Sequence, residues 1–201
     1  MIYPLRPKNA IEPKFIGGIV PDHWLIQAKF DGKNMLHDTA TGKWWNRHKE
    51  ERPIDMEIKP SDGHNYLLNG EYMTGTMKDD TGQNFKGFIL FDVLSMDGSL
   101  LIGSSILERY HLMRSMCAWG IHNEYLYAHP RNPDLFLVRN LDIPLREVMD
   151  RMNTLPEDGK QHYIEGYVFK NPHQRMVLPS GEYANSAGLL KSRIPTKNYQ
   201  F

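Results

Sequence analysis

Residues 87–91, Gly-Phe-Ile-Leu-Phe, carry no polar side chain on either alternating set of positions. A strand formed here has two apolar faces, so it must be covered on both and sit centrally in a sheet. With 201 residues and 40% hydrophobic content, the chain can bury one sizeable core around it.

Further strand-like runs cover residues 24–28, 33–38, 43–46, 66–73, 125–128, 135–138, 162–169 and 187–192. The turn Thr39-Ala-Thr-Gly42 predicts a hairpin between the second and third. A stretch rich in Pro, Gly, Asn and Ser joins the last two as a closing pair. Ser105-Ile-Leu-Glu108 has capping-box spacing, and Ile106, Tyr110, Met113 and Cys117 recur at helical intervals until Gly120. A second helix is expected from Asp142, with Leu145, Val148, Met149 and Met152 on one side. Many strands and few crossover helices predict an α+β fold of mostly antiparallel sheets with flanking helices. One domain over residues 1–201 is expected. Pro4, Pro7, Pro13, Gly17, Gly18 and Pro21 predict that residues 1–23 form an extended arm packed on it.

The lone Cys117 excludes an internal disulfide and a cysteine-rich zinc site. The start lacks the apolar segment of a signal peptide, and no run approaches the roughly 20 residues that span a bilayer. An intracellular, monomeric protein without a membrane partner is expected. Lys plus Arg and Asp plus Glu number 24 each, so a polyanion must be held by a local basic surface.

The chemistry centres on Lys29-Phe-Asp-Gly32, at the end of an apolar run and so between strands. A lysine amine is almost fully protonated at neutral pH, and as a nucleophile it needs desolvation or neighbouring cations. Lys33, Lys170, Lys191 and Arg193 are available for that, and could also hold a triphosphate. Gly32 permits close backbone approach. Glu71 and Glu165 each adjoin a glycine within a strand-like run, where an acid suits ribose hydroxyls or a hard cation. Phe91, before Asp92, could stack on a purine. Lys191 and Arg193, two apart, share a strand face. Trp44, Trp45 and Arg47 could meet nucleic acid, or the tryptophans could be buried. Singly, each has a plainer reading: a surface lysine in a turn, a charge at a strand edge, a core aromatic. Their fixed order is what separates them from coincidence. No His-x-x-x-His pair occurs, and His23, His64 and His111 are read as structural or surface.

Lys29-Phe-Asp-Gly32, Asn69-Gly-Glu71, Phe91-Asp92, Glu165-Gly-Tyr-Val-Phe-Lys170 and Lys191-Ser-Arg193 resemble the motifs of the covalent nucleotidyltransferase superfamily. That superfamily contains ATP-dependent DNA ligases, RNA ligases and messenger-RNA capping guanylyltransferases. The resemblance covers nearly the whole chain and implies a ligase adenylation domain whose Lys29 forms a lysyl-AMP. It further implies an ATP site made by Gln27, Lys29, Asp31, Gly32, Glu71, Phe91, Lys170, Lys191 and Arg193. Glu71 would contact the ribose, Phe91 the base, Lys170 and Lys191 the phosphates, and Glu165 a Mg²⁺ or Mn²⁺ ion. Arg193 stands where the family usually has lysine. Asn34 and Arg47 would meet a 5′-phosphate end.

Gln27-Ala-Lys29 and Phe91-Asp-Val-Leu94 followed by Glu108-Arg109 look like DNA ligases, whereas Asn34 and residues 165–170 look more like one RNA ligase branch. The expected partners are nicked double-stranded DNA or RNA ends. A chain stopping at Phe201 is expected to lack the C-terminal OB-fold of such enzymes, which a separate protein could supply. A GTP-dependent capping enzyme and an inactive nucleic-acid-binding module are the alternatives.

Overall fold

A computed structural model describes residues 4–7, 10–155, 162–178 and 185–194. Their elements, in order, are β1 (Arg6–Pro7), a 3-10 turn (Pro13–Phe15), α1 (Ile16–Ile19), β2 (Leu25–Phe30), β3 (Lys33–Asp38), β4 (Trp44–Asn46) and β5 (Tyr66–Lys78). Next come β6 (Asn84–Met96), β7 (Ser99–Leu100), α2 (Ile106–Ser115), β8 (Gly120–Ile121), β9 (Leu126–Ala128) and β10 (Leu135–Val138). The last are α3 (Leu145–Thr154), β11 (Ile164–Lys170), β12 (Asn185–Ser186) and β13 (Leu189–Arg193).

An eight-stranded sheet runs β4-β3-β5-β6-β10-β9-β8, with β7 beside β6, and a three-stranded sheet runs β13-β11-β2. β1 and β12 make a small two-stranded sheet. Pairing is antiparallel except for β6 with β10 and β1 with β12. The expected α+β class is observed, and none of these sheets is an OB barrel among the described residues.

The central strand behaves as its composition demands. On β6, Phe88 and Leu90 enter one core cluster, while Ile89 enters another on the opposite face of the sheet. The first cluster is closed by Tyr110 and Met113 of α2; the second by Leu145, Val148 and Met152 of α3, Ile16 of α1, and the inward residues of β2 and β11. Apolar burial at about 25 cal/mol per Å² makes these two layers the main stabilising term. Ser105 caps α2, its Oγ accepting from the Glu108 N–H while the Glu108 carboxylate accepts from the Ser105 N–H. The β3–β4 hairpin and the closing β11–β13 pair form as expected.

Several boundaries differ from the sequence reading. Lys29 lies inside β2, which continues to Phe30, and not between strands; Tyr167, Ala28 and Phe30 share the same core cluster, and that packing carries the strand past the lysine. Residues 13–19 of the arm coil into the 3-10 turn and α1, because Ile16 and Val20 must reach the core together. β5 and β6 are longer than the apolar runs, since each supplies the other's hydrogen bonds beyond the core. Helix α2 ends at Ser115, so Cys117 lies past its end and is only partly buried. Helix α3 begins at Leu145, three residues after Asp142, with Pro144 extended at its N-cap. Trp44 is buried and stacks on His37 at 4.0 Å, while Trp45 is half-buried. Among the described residues, no helix is long and apolar enough to cross a membrane.

Candidate active site

Side chains two apart on a strand share a face, so Gln27 and Lys29 of β2 turn from the core together. Strand register extends both positions into rows: Gln27, Val168 and Lys191 across β2, β11 and β13, then Lys29, Gly166 and Arg193. The register slips between Ile164 and Gly166, and Gly166 has φ +155°, a region that favours glycine. This irregularity brings Glu165 to the same face as the lysine, where both line a cavity. The other wall belongs to the large sheet, where Asn34 pairs with Glu71, and Leu36 with Asn69 and then Asp92.

The cavity encloses about 1010 Å³. All twelve residues singled out in the sequence line it: Gln27, Lys29, Asp31, Gly32, Asn34, Arg47, Glu71, Phe91, Glu165, Lys170, Lys191 and Arg193. Nine Lys or Arg and four Asp or Glu residues border it, in a chain of zero formal charge. The local basic surface needed for a polyanion is therefore present.

Glu165, 5% exposed, contacts Lys29 Nζ through Oε1 and the Arg193 guanidinium through Oε2, the latter at 2.7 Å. One buried carboxylate thus holds two cations from opposite edge strands. Glu71 Oε1 accepts from the Gly32 N–H at 3.2 Å. Burial pushes the Glu71 carboxyl up to about 7, against the pull of Lys29 and with a further push from Glu165. Lys170, 8% exposed, is pulled down to about 8 by burial. Its Nζ donates to the Phe91 carbonyl at 3.1 Å and lies 5.4 Å from the centre of the Phe91 ring. Lys191 is lowered by burial and by the nearby Lys29 and Arg193. Asn34 Nδ2 donates to Asn69 Oδ1 at 3.2 Å, and Gln27 Nε2 to Asn140 Oδ1 at 2.7 Å. Arg47, exposed at the cavity margin, donates from Nε to His48 Nε2 at 3.1 Å.

Among the lining residues given no role in the sequence are Arg109, Asn69, Arg6 and Arg52. Arg109 of α2 falls at helical spacing between Ile106 and Met113, and a cation on that buried face signals a required acid. That acid is Asp92. Asn69 was visible only as part of Asn69-Gly-Glu71. Arg6 and Arg52 have no local signal, because remote chain segments bring them to the cavity.

A Mg²⁺ ion keeps several waters and binds mainly through substrate phosphates plus one or two carboxylates. Glu165 offers one buried carboxylate on the cavity wall for that limited demand, and because its two oxygens already meet Lys29 and Arg193, an ion there would share or replace one of those contacts. Among the described residues, no group of three His, Cys, Asp or Glu side chains forms an all-protein cage.

No protein-family model and no curated protein matches the sequence. Its fold is that of the ligase, or nucleotidyltransferase, domain of DNA ligases. A mycobacterial DNA ligase D complexed with ATP and MES aligns over 96% of this chain and 60% of its own, with TM-score 0.64 and 14% identity. The ligase domain of M. tuberculosis LigD aligns over 96% and 59%, with TM-score 0.62 and 14% identity. A Lig E DNA ligase, described as binding DNA with a minimal scaffold, aligns over 96% and 69%, with TM-score 0.56 and 15% identity. The chain thus spans less than two thirds of the two ligase D chains.

Proposed function

We propose that this chain is an ATP-dependent polynucleotide ligase domain that seals 5′-phosphate/3′-hydroxyl nicks in DNA through a lysyl-AMP on Lys29. The observation that carries this reading is the convergence of residues from positions 27 to 193 on one basic cavity, with Lys29 against Glu165.

In the first step, Nζ of Lys29 loses a proton, for which Glu165 Oε1 is the acceptor already in contact. The amine attacks the α-phosphorus of ATP; a P–N bond forms, the α–β anhydride breaks and pyrophosphate leaves. Lys191 and Arg193 offset charge on the phosphates, Lys170 engages them from β11, Phe91 stacks on the base, and Glu71 meets the ribose. Asp31 and Gly32 shape the turn beside the lysine. In the second step a 5′-phosphate oxygen attacks the lysyl-AMP phosphorus, the P–N bond breaks, and the amine regains a proton. Arg47 and Asn34 hold that 5′ end. Finally the 3′-hydroxyl oxygen attacks the 5′-phosphorus, an O–P bond forms, the anhydride to AMP breaks, and the hydroxyl proton passes to solvent as AMP departs. Glu165 would be the carboxylate to hold a Mg²⁺ or Mn²⁺ ion, which would supply further charge neutralisation at the phosphates.

Incubation with α-labelled ATP and Mg²⁺ is expected to give a covalent adduct that Lys29→Ala abolishes. An unlabelled wild-type protein would sink the reading. RNA ends are the second reading, favoured by asparagine at position 34, whose amide is tied to Asn69. Nicked duplexes with DNA or RNA on each side of the break separate the two, and labelled GTP tests the capping alternative. Tight nick binding without any adduct would mark an inactive binding module.

A further inference from the structure

Gln27 is 2% exposed, yet it borders the cavity. An amide side chain has one donor end and one acceptor end. Nε2 of Gln27 spends one of its two N–H groups on Asn140 Oδ1 at 2.7 Å, which turns that end of the amide toward Asn140 and leaves Oε1 as the acceptor it presents to a ligand.

Asn140 is itself held in place by its backbone. Its N–H donates to Tyr110 Oη at 3.3 Å, and that hydroxyl donates to the Val138 carbonyl at 3.2 Å. The N–H groups on either side are also used: Arg139 donates to the Tyr125 carbonyl and Leu141 to the Ile26 carbonyl, each at 2.8 Å. The last bond docks this segment onto β2 at the residue preceding Gln27. A side chain anchored in this way restrains the rotation of its partner.

On β2, Gln27 lies two residues from Lys29, about 7 Å along the strand and on the same face. Phe91, proposed to stack on the base, lies against Lys170, which pairs with Leu25 of β2, so a base stacked on Phe91 would sit on the Gln27 side of Lys29. Adenine presents a 6-amino donor where guanine presents the O6 acceptor. An acceptor at Gln27 satisfies the first and opposes lone pairs on the second, and an unpaired buried acceptor is costly.

We propose that Asn140 is a positioning residue for purine selectivity: it turns Gln27 Oε1 toward the exocyclic group of the base, favouring a 6-amino over a 6-oxo purine triphosphate at Lys29. This rests on the lysine nucleotidylation proposed above and goes beyond it by assigning the selectivity to a residue outside the cavity wall.

The test compares adduct formation from α-labelled ATP and GTP, across a concentration series of each, by the full-length wild-type, Asn140→Ala and Asn140→Asp proteins. Aspartate only accepts, so it keeps Gln27 turned the same way; the ATP-to-GTP ratio of kcat/KM is expected to stay within roughly twofold of wild type. Alanine frees the amide to rotate, and the ratio is expected to fall about tenfold, the worth of one oriented hydrogen bond. A merely structural Asn140 would lower both nucleotides in parallel and leave the ratio unchanged, which would overturn the proposal. Inverted preference in Asn140→Asp would overturn it too, and that variant decides the matter should the alanine protein fail to fold. Label on wild type from neither nucleotide would instead overturn the parent reading together with this one, whereas ATP label with an unmoved ratio in Asn140→Ala overturns only the role of Asn140.

Discussion

Arg109 grips Asp92 with two donors, Nε to Oδ1 at 2.7 Å and NH2 to Oδ2 at 3.2 Å, while its NH1 donates to the Ser104 carbonyl at 2.8 Å. The arginine is 3% exposed and its helix packs on β6, so this fork fixes the stretch of β6 that carries Phe91. Asp92→Ala would leave a buried guanidinium uncompensated. A loss of about 3 kcal/mol in urea denaturation is expected, together with weaker ATP adduct formation. A change under about 1 kcal/mol would show that the fork is not desolvated as described.

A Cβ on Gly32 would lie 2.6 Å from Met73 Sδ, 2.8 Å from the Tyr72 carbonyl and 2.9 Å from Glu71 Cγ. The backbone carbonyl cannot yield as a side chain can. Gly32→Ala is therefore expected to destabilise by about 1 to 3 kcal/mol and to displace Glu71. Thermal unfolding measures the first effect and label transfer to Lys29 the second; an unperturbed alanine variant would contradict the close approach.

Glu71 has a folded carboxyl raised to about 7, so between about 4.5 and 7 the folded state binds more protons than the unfolded one. Its contribution to stability is favourable at low pH and is lost as pH rises through that window. Glu71→Gln, which keeps an oxygen for the Gly32 N–H, is expected to gain on wild type as pH rises, by at most about 3 kcal/mol at pH 8. Denaturation of both proteins from pH 4 to 8 checks this, and a flat difference would refute it.

His37 titrates in the opposite sense. Burial against Trp44 lowers its imidazole to about 4, the Lys43 backbone and Asp38 opposing weakly, so below 6.5 the unfolded chain binds the extra proton. The contribution of His37 to stability is expected to fall by about 3 kcal/mol as pH drops from 6.5 to 4, against the gain from Glu71, and His37→Phe should be more stable than wild type by a margin that grows toward pH 4 while keeping the stack. Equal acid sensitivity in the variant would place the titrating group elsewhere.

Arg47 lines the cavity but is exposed, and its guanidinium donates to His48 rather than to Glu165. Arg47→Ala should leave adduct formation intact and slow nick sealing by roughly tenfold or more. Equal loss of both steps would argue against a role confined to the nucleic-acid end.

The sequence by itself determined the central strand, because a run apolar on both alternations has no other low-energy place. It also determined the capping box of α2 and the β3–β4 hairpin, for which local chemistry sufficed. The twelve side chains that line the cavity were legible through the order of their motifs and the resemblance this order carries. What only tertiary structure decided is how those residues face one another. The slip beside Gly166 that aims Glu165 at Lys29, the Arg109 fork on Asp92, the entry of Arg6 and the hold of Asn140 on Gln27 join residues 17 to 136 positions apart, or bring in a remote arm. Helix and strand ends moved for the same reason. Hydrogen bonds and burial supplied by distant segments outweigh local propensities of a few tenths of a kcal/mol, and no window of neighbouring residues contains them.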